Sequence, residues 1–200
     1  MPHRAALRAL TWLAARYSAA AAARPFATAS AAGLVIASAG DVACQRWLEP
    51  PGTPFNARRT LDMGLIRALV LAPLLQVYFP FLSWLVPGRT LPRVLLRVLA
   101  DQAIGSPLTI CLTFAASGVL KGDVAGILPR VSSQLLPTMW AGAQYWPFVH
   151  TANFLYVPVG HQALFAHVMS VWWNAVLSYR ANKRLEPDGG AAAPTPATTG

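Results

Sequence analysis

VSSQLLPTMWAGAQYWPFVHTANFLYVPVGHQALFAHVMSVWWNAVLSY, residues 131–179, runs for 49 residues between Arg130 and Arg180 without one Lys, Arg, Asp or Glu. It holds four of the seven tryptophans and three of the five tyrosines. Every helix of a water-soluble domain turns some face to water, so such a domain rarely goes this far without a charge. Hydrocarbon favours such a run, and about 20 apolar residues cross a bilayer once. Pro158-Val159-Gly160 divides it into two helix-length pieces, 136–157 and 161–179. The region is therefore expected in a membrane, with the rest of the chain packed around it.

Composition points the same way. Of 200 residues, 55% are hydrophobic and 12% charged, with a mean hydropathy of +0.43. Soluble domains carry about a quarter charged residues. The net charge of +9 comes from 14 arginines and two lysines against seven acids. The arginines sit between apolar runs rather than in one patch. That placement sets membrane orientation rather than binding nucleic acid, so no direct nucleic-acid partner is expected. Cys44 and Cys111 lie inside apolar segments, with no CxxC and no Cys/His spacing suited to zinc. They read as two buried thiols.

Residues 1–25 carry Arg4, Arg8, Arg16 and Arg24, many alanines, and no acid before Asp41. This is the composition of a mitochondrial targeting segment, and equally of an uncleaved amphipathic lead-in helix. The membrane domain is placed at 26–182, and a low-complexity, disordered tail at 183–200.

Within the membrane domain the first spanning candidate is 26–48. Ser30, Gly33, Ala37, Gly40 and Cys44 recur there at spacings of three and four, a stripe of small residues where another helix can approach closely. A loop is expected over 49–60, then a helix over 61–86 bent by Pro73 and Pro80. A turn at 87–93 leads to a third candidate, 94–120, broken near its middle by Pro107. A loop at 121–130 precedes the uncharged run. If that run makes one crossing, basic residues divide ten against six in favour of the side holding both termini. If both halves cross, they divide seven against nine. The positive-inside rule leans to four crossings, with the termini facing matrix or cytosol.

The ordered motifs resemble one family. Trp12 and Tyr17 precede Pro25, and Gly40-Asp41 is followed by Gln45. Arg59-Thr60, Gly64, Pro73, Tyr78 and Pro87-Gly88 come next, then Asp101-Gln102 with Pro107. Trp146-Pro147, Asn153-Phe154, Val157-Pro158, Trp173-Asn174 and Leu177-Ser178 complete the set. The chain resembles the Mpv-seventeen / twenty-two-kilodalton peroxisomal membrane protein family over roughly 12–182. It departs from the pattern at His161-Gln162, where members carry an aromatic–basic pair, and at Val77-Tyr78, where they carry Trp-Tyr. The resemblance implies four crossings and a channel-like or solute-homeostasis role in an organelle membrane. For some members it implies an assembly or scaffold role linked to mitochondrial ribosomes. It brings no catalytic residues.

The candidate pore-lining or helix-packing residues are Asp41, Gln45, Asp101, Gln102, Trp146, Pro147 and Asn153. Asp41 and Asp101 are each the one acid of an apolar segment. They either line a water-filled path and bias cation or proton passage, or pair with Arg46, Arg67 or Arg97 to lock helices together. Asn153 reads as an amide tying helices together, with pore lining as the other reading. Pro147 frees the carbonyl of Ala143, so Trp146-Pro147 directs either a fixed kink or a gate. His150, His161 and His167 have no HxxxH spacing and no carboxylate companion, and haem would need two opposed ligands at matched depth. No cofactor or metal is expected. No Gly-rich phosphate loop, GxSxG or paired carboxylates appear, so no enzyme is expected.

Together these features predict an all-α integral membrane bundle of about four transmembrane helices, kinked at prolines, with an amphipathic N-terminal helix. The expected function is a small-solute channel, or a modulator of one, in the mitochondrial inner membrane, contributing to metabolite and redox balance. A non-conducting scaffold is the alternative function, and the peroxisomal membrane the alternative location. The lipid bilayer, small solutes, a second copy of the chain, and mitochondrial membrane or ribosome-associated proteins are the expected partners.

Overall fold

The structure, a computed structural model, describes residues 2–182, with the backbone alone described over 2–11, at Leu13 and at several positions beyond Pro158. The tail at 183–200 lies outside the described residues. All regular structure among the described residues is helical. The helices are α1 Pro2–Ala23, α2 Pro25–Leu48, α3 Ala57–Leu85, α4 Leu91–Leu120, α5 Ile127–Ala143, α6 Trp146–Tyr156 and α7 Val159–Asn182.

Among the described residues, α2, α3 and α4 are long and apolar enough to cross a membrane, with 24, 29 and 30 residues. At about 1.5 Å per residue each exceeds the hydrocarbon thickness of about 30 Å. Polarity is distributed as lipid requires. Large apolar side chains such as Leu69, Trp84, Ile104, Trp140 and Phe148 point outward, while Asp41, Thr138, Asn153, Ser170 and Ser178 are fully buried. Polar groups that cannot meet water gather where protein partners exist.

The prolines of α3 and α4 are accommodated by widened turns. Each helix contains one π-helical turn, Arg67–Leu71 and Asp101–Gly105, and in each the proline follows two residues after its end, at Pro73 and Pro107. The residue before the proline reaches back five positions, Ala72 N–H to the Arg67 carbonyl and Ser106 N–H to the Asp101 carbonyl. Proline has no N–H to give, and the widened turn makes room for its ring. Arg67 and Asp101 thus open the same device in two helices.

The uncharged run differs from expectation. Residues 136–157 are not one helix: α5 stops at Ala143 and α6 starts at Trp146. Tyr145 takes φ −120° and its N–H turns back to the Gly142 carbonyl at 3.0 Å. The cause is Pro147, which cannot donate to Ala143 and instead occupies the first turn of α6. The break at Pro158 falls as expected. The loops are shorter than expected, with α3 already begun at Ala57 and α5 at Ile127.

The small-residue stripe serves two neighbours. Gly33, Ala37, Gly40 and Cys44 are buried, with Ala29 buried in place of Ser30. A Cβ on Gly40 would stand 2.6 Å from Asn174 Cβ and 3.0 Å from the Val171 carbonyl, so α2 and α7 touch backbone to backbone there. Two apolar clusters fill the interior. Met63, Ile66, Leu71, Ile110, Phe114, Trp173 and Leu177 form one, and Phe79, Leu82, Val94, Val98, Phe154 and Ala166 the other.

Candidate functional site

Two polar centres lie within this apolar frame. The first is built on Asp41 and Gln45, one turn apart on α2. Asp41 is wholly buried and held from every side. Arg59 Nε donates to Oδ1 at 2.9 Å, Thr60 Oγ1 and Gln45 Nε2 donate to Oδ2 at 2.6 and 2.7 Å, and the Ser178 hydroxyl donates to Oδ1. Arg59 spreads its other nitrogens to Glu49, to Cys44 Sγ at 3.2 Å and to Ser178 Oγ at 3.2 Å. Gln45 also clasps the loop, accepting from Asn56 N–H at 2.7 Å and donating to the Asn56 carbonyl at 3.1 Å. Asn56 in turn caps α3 by accepting from Arg59 N–H at 3.0 Å.

Asp41 therefore joins α2, α3 and α7. Its partner is Arg59, not Arg46, Arg67 or Arg97 as expected. Pro50, Pro51, Gly52 and Pro54 make the sequence around Arg59 read as a loop, yet the helix begins two residues before it. Arg97 has another task, donating to the Val86 and Gly88 carbonyls at 2.8 and 2.7 Å and so capping the end of α3.

The second centre is a partly open cavity of about 60 Å³ walled by α3, α4, α6 and α7, room for a few water molecules. Arg67, Asp101, Thr109, Trp146, His150 and Trp173 are on its walls. The equivalent π-turns of α3 and α4 thus bring a cation and an anion to one space. His150 Nε2 lies 3.6 Å from Asp101 Oδ2, so His150 does have a carboxylate companion, supplied by another helix. The imidazole is stacked between Trp146 at 4.9 Å and Phe154 at 5.6 Å, and its Nδ1 has no hydrogen-bond partner among the described residues. Gly105 lets the walls close in. A Cβ there would stand 2.6 Å from both Asp101 Oδ1 and the Tyr78 hydroxyl.

Of the sequence candidates, Asp101 and Trp146 meet at this cavity. Gln102 is beside it, donating to Asp101 Oδ2 at 3.2 Å. Asn153 is away from the lining and fully buried, its amide donating to the Gln162 carbonyl at 3.2 Å across the α6–α7 turn. Pro147 occupies the first turn of α6, just after the break, on the helix that carries Trp146 and His150 to the cavity. Arg67 and His150 escaped the candidate set. In sequence Arg67 reads only as a possible partner for an aspartate, and the contact of His150 with Asp101 is invisible until two distant helices are brought together. The chemistry available is a buried, wettable spot carrying both signs of charge between otherwise apolar helices.

The Mpv17 / PMP22 family model matches residues 118–178. The chain is 36% identical to Protein sym-1 of Neurospora crassa over 174 residues, covering 85% of this chain and 97% of that one. It is 33% identical to Protein SYM1 of Eremothecium gossypii, covering 70% of this chain and 80% of the relative. It is 30% identical to the mitochondrial inner membrane protein Mpv17 of Danio rerio, over 72% of this chain and 82% of that one. No solved structure matches. With such similarity along nearly the full length of a relative, and with helices built for lipid, the chain belongs to the Mpv17 / PMP22 family and is a helical protein of the mitochondrial inner membrane.

Proposed function

We propose that the chain forms or modulates a pathway for small solutes across the inner membrane, contributing to metabolite and redox balance rather than catalysing a reaction. One observation carries this reading: a cavity with Arg67, Asp101 and His150 on its walls sits among helices whose outer faces are apolar. Ionisable groups are costly in hydrocarbon, and in bundles they mark where ions or polar solutes pass. The helices around the cavity are interrupted rather than smooth, by π-turns in α3 and α4 and by the α5–α6 break, as in membrane proteins that bind solutes near mid-bilayer. In this pathway Asp101 sets the local charge and Trp146 the width. Asp41 holds the wall together from outside the path.

The test is conductance of the purified chain in planar bilayers. The expected result is a current whose cation-to-anion selectivity moves toward anions in Asp101→Asn. A silent wild-type protein, or a selectivity unaltered by Asp101→Asn, would overturn the proposal.

A further inference from the structure

A second recess, of about 350 Å³, lies on the outer surface between the end of α2 and the middle of α7. Its walls include Ala43, Trp47, Leu48, Val168, Val171 and Trp172. The hydroxyl of Tyr145, also on its rim, is turned to the Met169 carbonyl at 2.6 Å, so the recess presents an apolar lining. Trp47 and Trp172 are largely exposed and stand as open flanks. The size falls within the range of about 300–1,000 Å³ typical of small-molecule sites.

In a bilayer the exposed Trp47, Val168 and Trp172 around this recess would meet lipid, so an acyl chain is the apolar matter within its reach. At the same level, one residue before Trp47, stands Arg46. It is exposed, its guanidinium is 5.9 Å from the Phe55 ring centroid, and it forms no ion pair among the described residues. The nearest acid in sequence, Glu49, is already held by Arg59. An arginine and a tryptophan at the end of a spanning helix are at headgroup depth. We propose that the recess between α2 and α7 retains one acyl chain of an anionic diacyl phospholipid, with its phosphate headgroup at Arg46. This site is separate from the central cavity and stands whether or not the chain conducts.

The purified full chain is reconstituted in phosphatidylcholine vesicles, and lipids with brominated acyl chains are titrated in as either phosphatidylglycerol or phosphatidylcholine. Bromine quenches tryptophan on contact. The expected result is half-maximal quenching at an about fivefold lower mole fraction of the anionic lipid, the effect of one cationic contact at the membrane surface. Arg46→Gln should bring the two lipids together, and Trp47→Phe with Trp172→Phe should remove the quenching that distinguishes them. Equal quenching by both lipids in the native chain would overturn the proposal. So would a preference that persists in Arg46→Gln, or one that survives loss of both tryptophans. Should a variant fail to fold, salt decides on the native chain. A preference that does not shrink at about 0.5 M salt, where exposed charges are screened, counts against the headgroup contact.

Discussion

Replacing Arg59 by Met tests whether the Asp41 cluster holds the bundle together. In the native chain the Asp41 side chain is 0% exposed, Arg59 12% and Glu49 13%, so these charges are in protein rather than at a solvated surface. Exposed ion pairs contribute about 0–1 kcal/mol, whereas removing one partner of a buried pair costs about 3–5 kcal/mol because the other charge is stranded. Arg59→Met strands two carboxylates and also takes donors from Cys44 and Ser178. A loss of about 3–5 kcal/mol is expected, which for a chain of this size is a fall in midpoint of roughly 6–20 °C at ~2–4 °C per kcal/mol. The assay is thermal unfolding of the purified protein in a mild detergent, followed by tryptophan fluorescence. Arg59→Lys should fall between wild type and Arg59→Met, since one ammonium cannot reach Asp41, Glu49 and Ser178 as the guanidinium does. Combining Arg59→Met with Asp41→Asn should recover part of the loss, giving a coupling of about 1.5 kcal/mol or more. Loss below about 1 kcal/mol for Arg59→Met, or strict additivity in the double variant, would refute the reasoning.

Gly40→Ala should destabilise the bundle by about 1–3 kcal/mol through overpacking, because its new Cβ meets Asn174 Cβ and the α7 backbone. Gly33→Ala should cost less in the same unfolding assay, since its new Cβ would meet nothing nearer than Arg67 Cγ at 3.0 Å, against 2.6 Å at Gly40. Asn153→Leu leaves the buried Gln162 carbonyl without its side-chain donor and should cost about 1–3 kcal/mol, loosening the α6–α7 turn as seen by faster proteolysis there. Carbonate extraction of mitochondria should leave the chain in the membrane pellet. Proximity labelling separates the pathway from a scaffold role, since enrichment of ribosome-assembly proteins together with silent bilayers would favour the scaffold.

The membrane character of the chain was legible without coordinates, because hydropathy and the lack of charge act locally and add along a helix. The stretches around 26–48, 61–86 and 94–120 read as spanning helices, and they are α2, α3 and α4 with ends shifted by a few residues. Asp41 and Asp101 stood out for the same reason, each a lone charge among apolar neighbours. What those charges do was not legible. Arg59 meets Asp41 across 18 positions and Ser178 meets it across 137, and no periodicity carries information over such distances. Prolines 73 and 107 announced interruptions, but not that each would follow a π-turn opened by Arg67 or Asp101, because a bend and a widened turn remove the same hydrogen bond. Chain-local chemistry chose the solvent and the helices. Only the packing of α3, α4, α6 and α7 decided that Arg67, Asp101 and His150 share one cavity while Asp41 is sealed away from it, since a buried charge takes its role from the neighbours that tertiary contact brings.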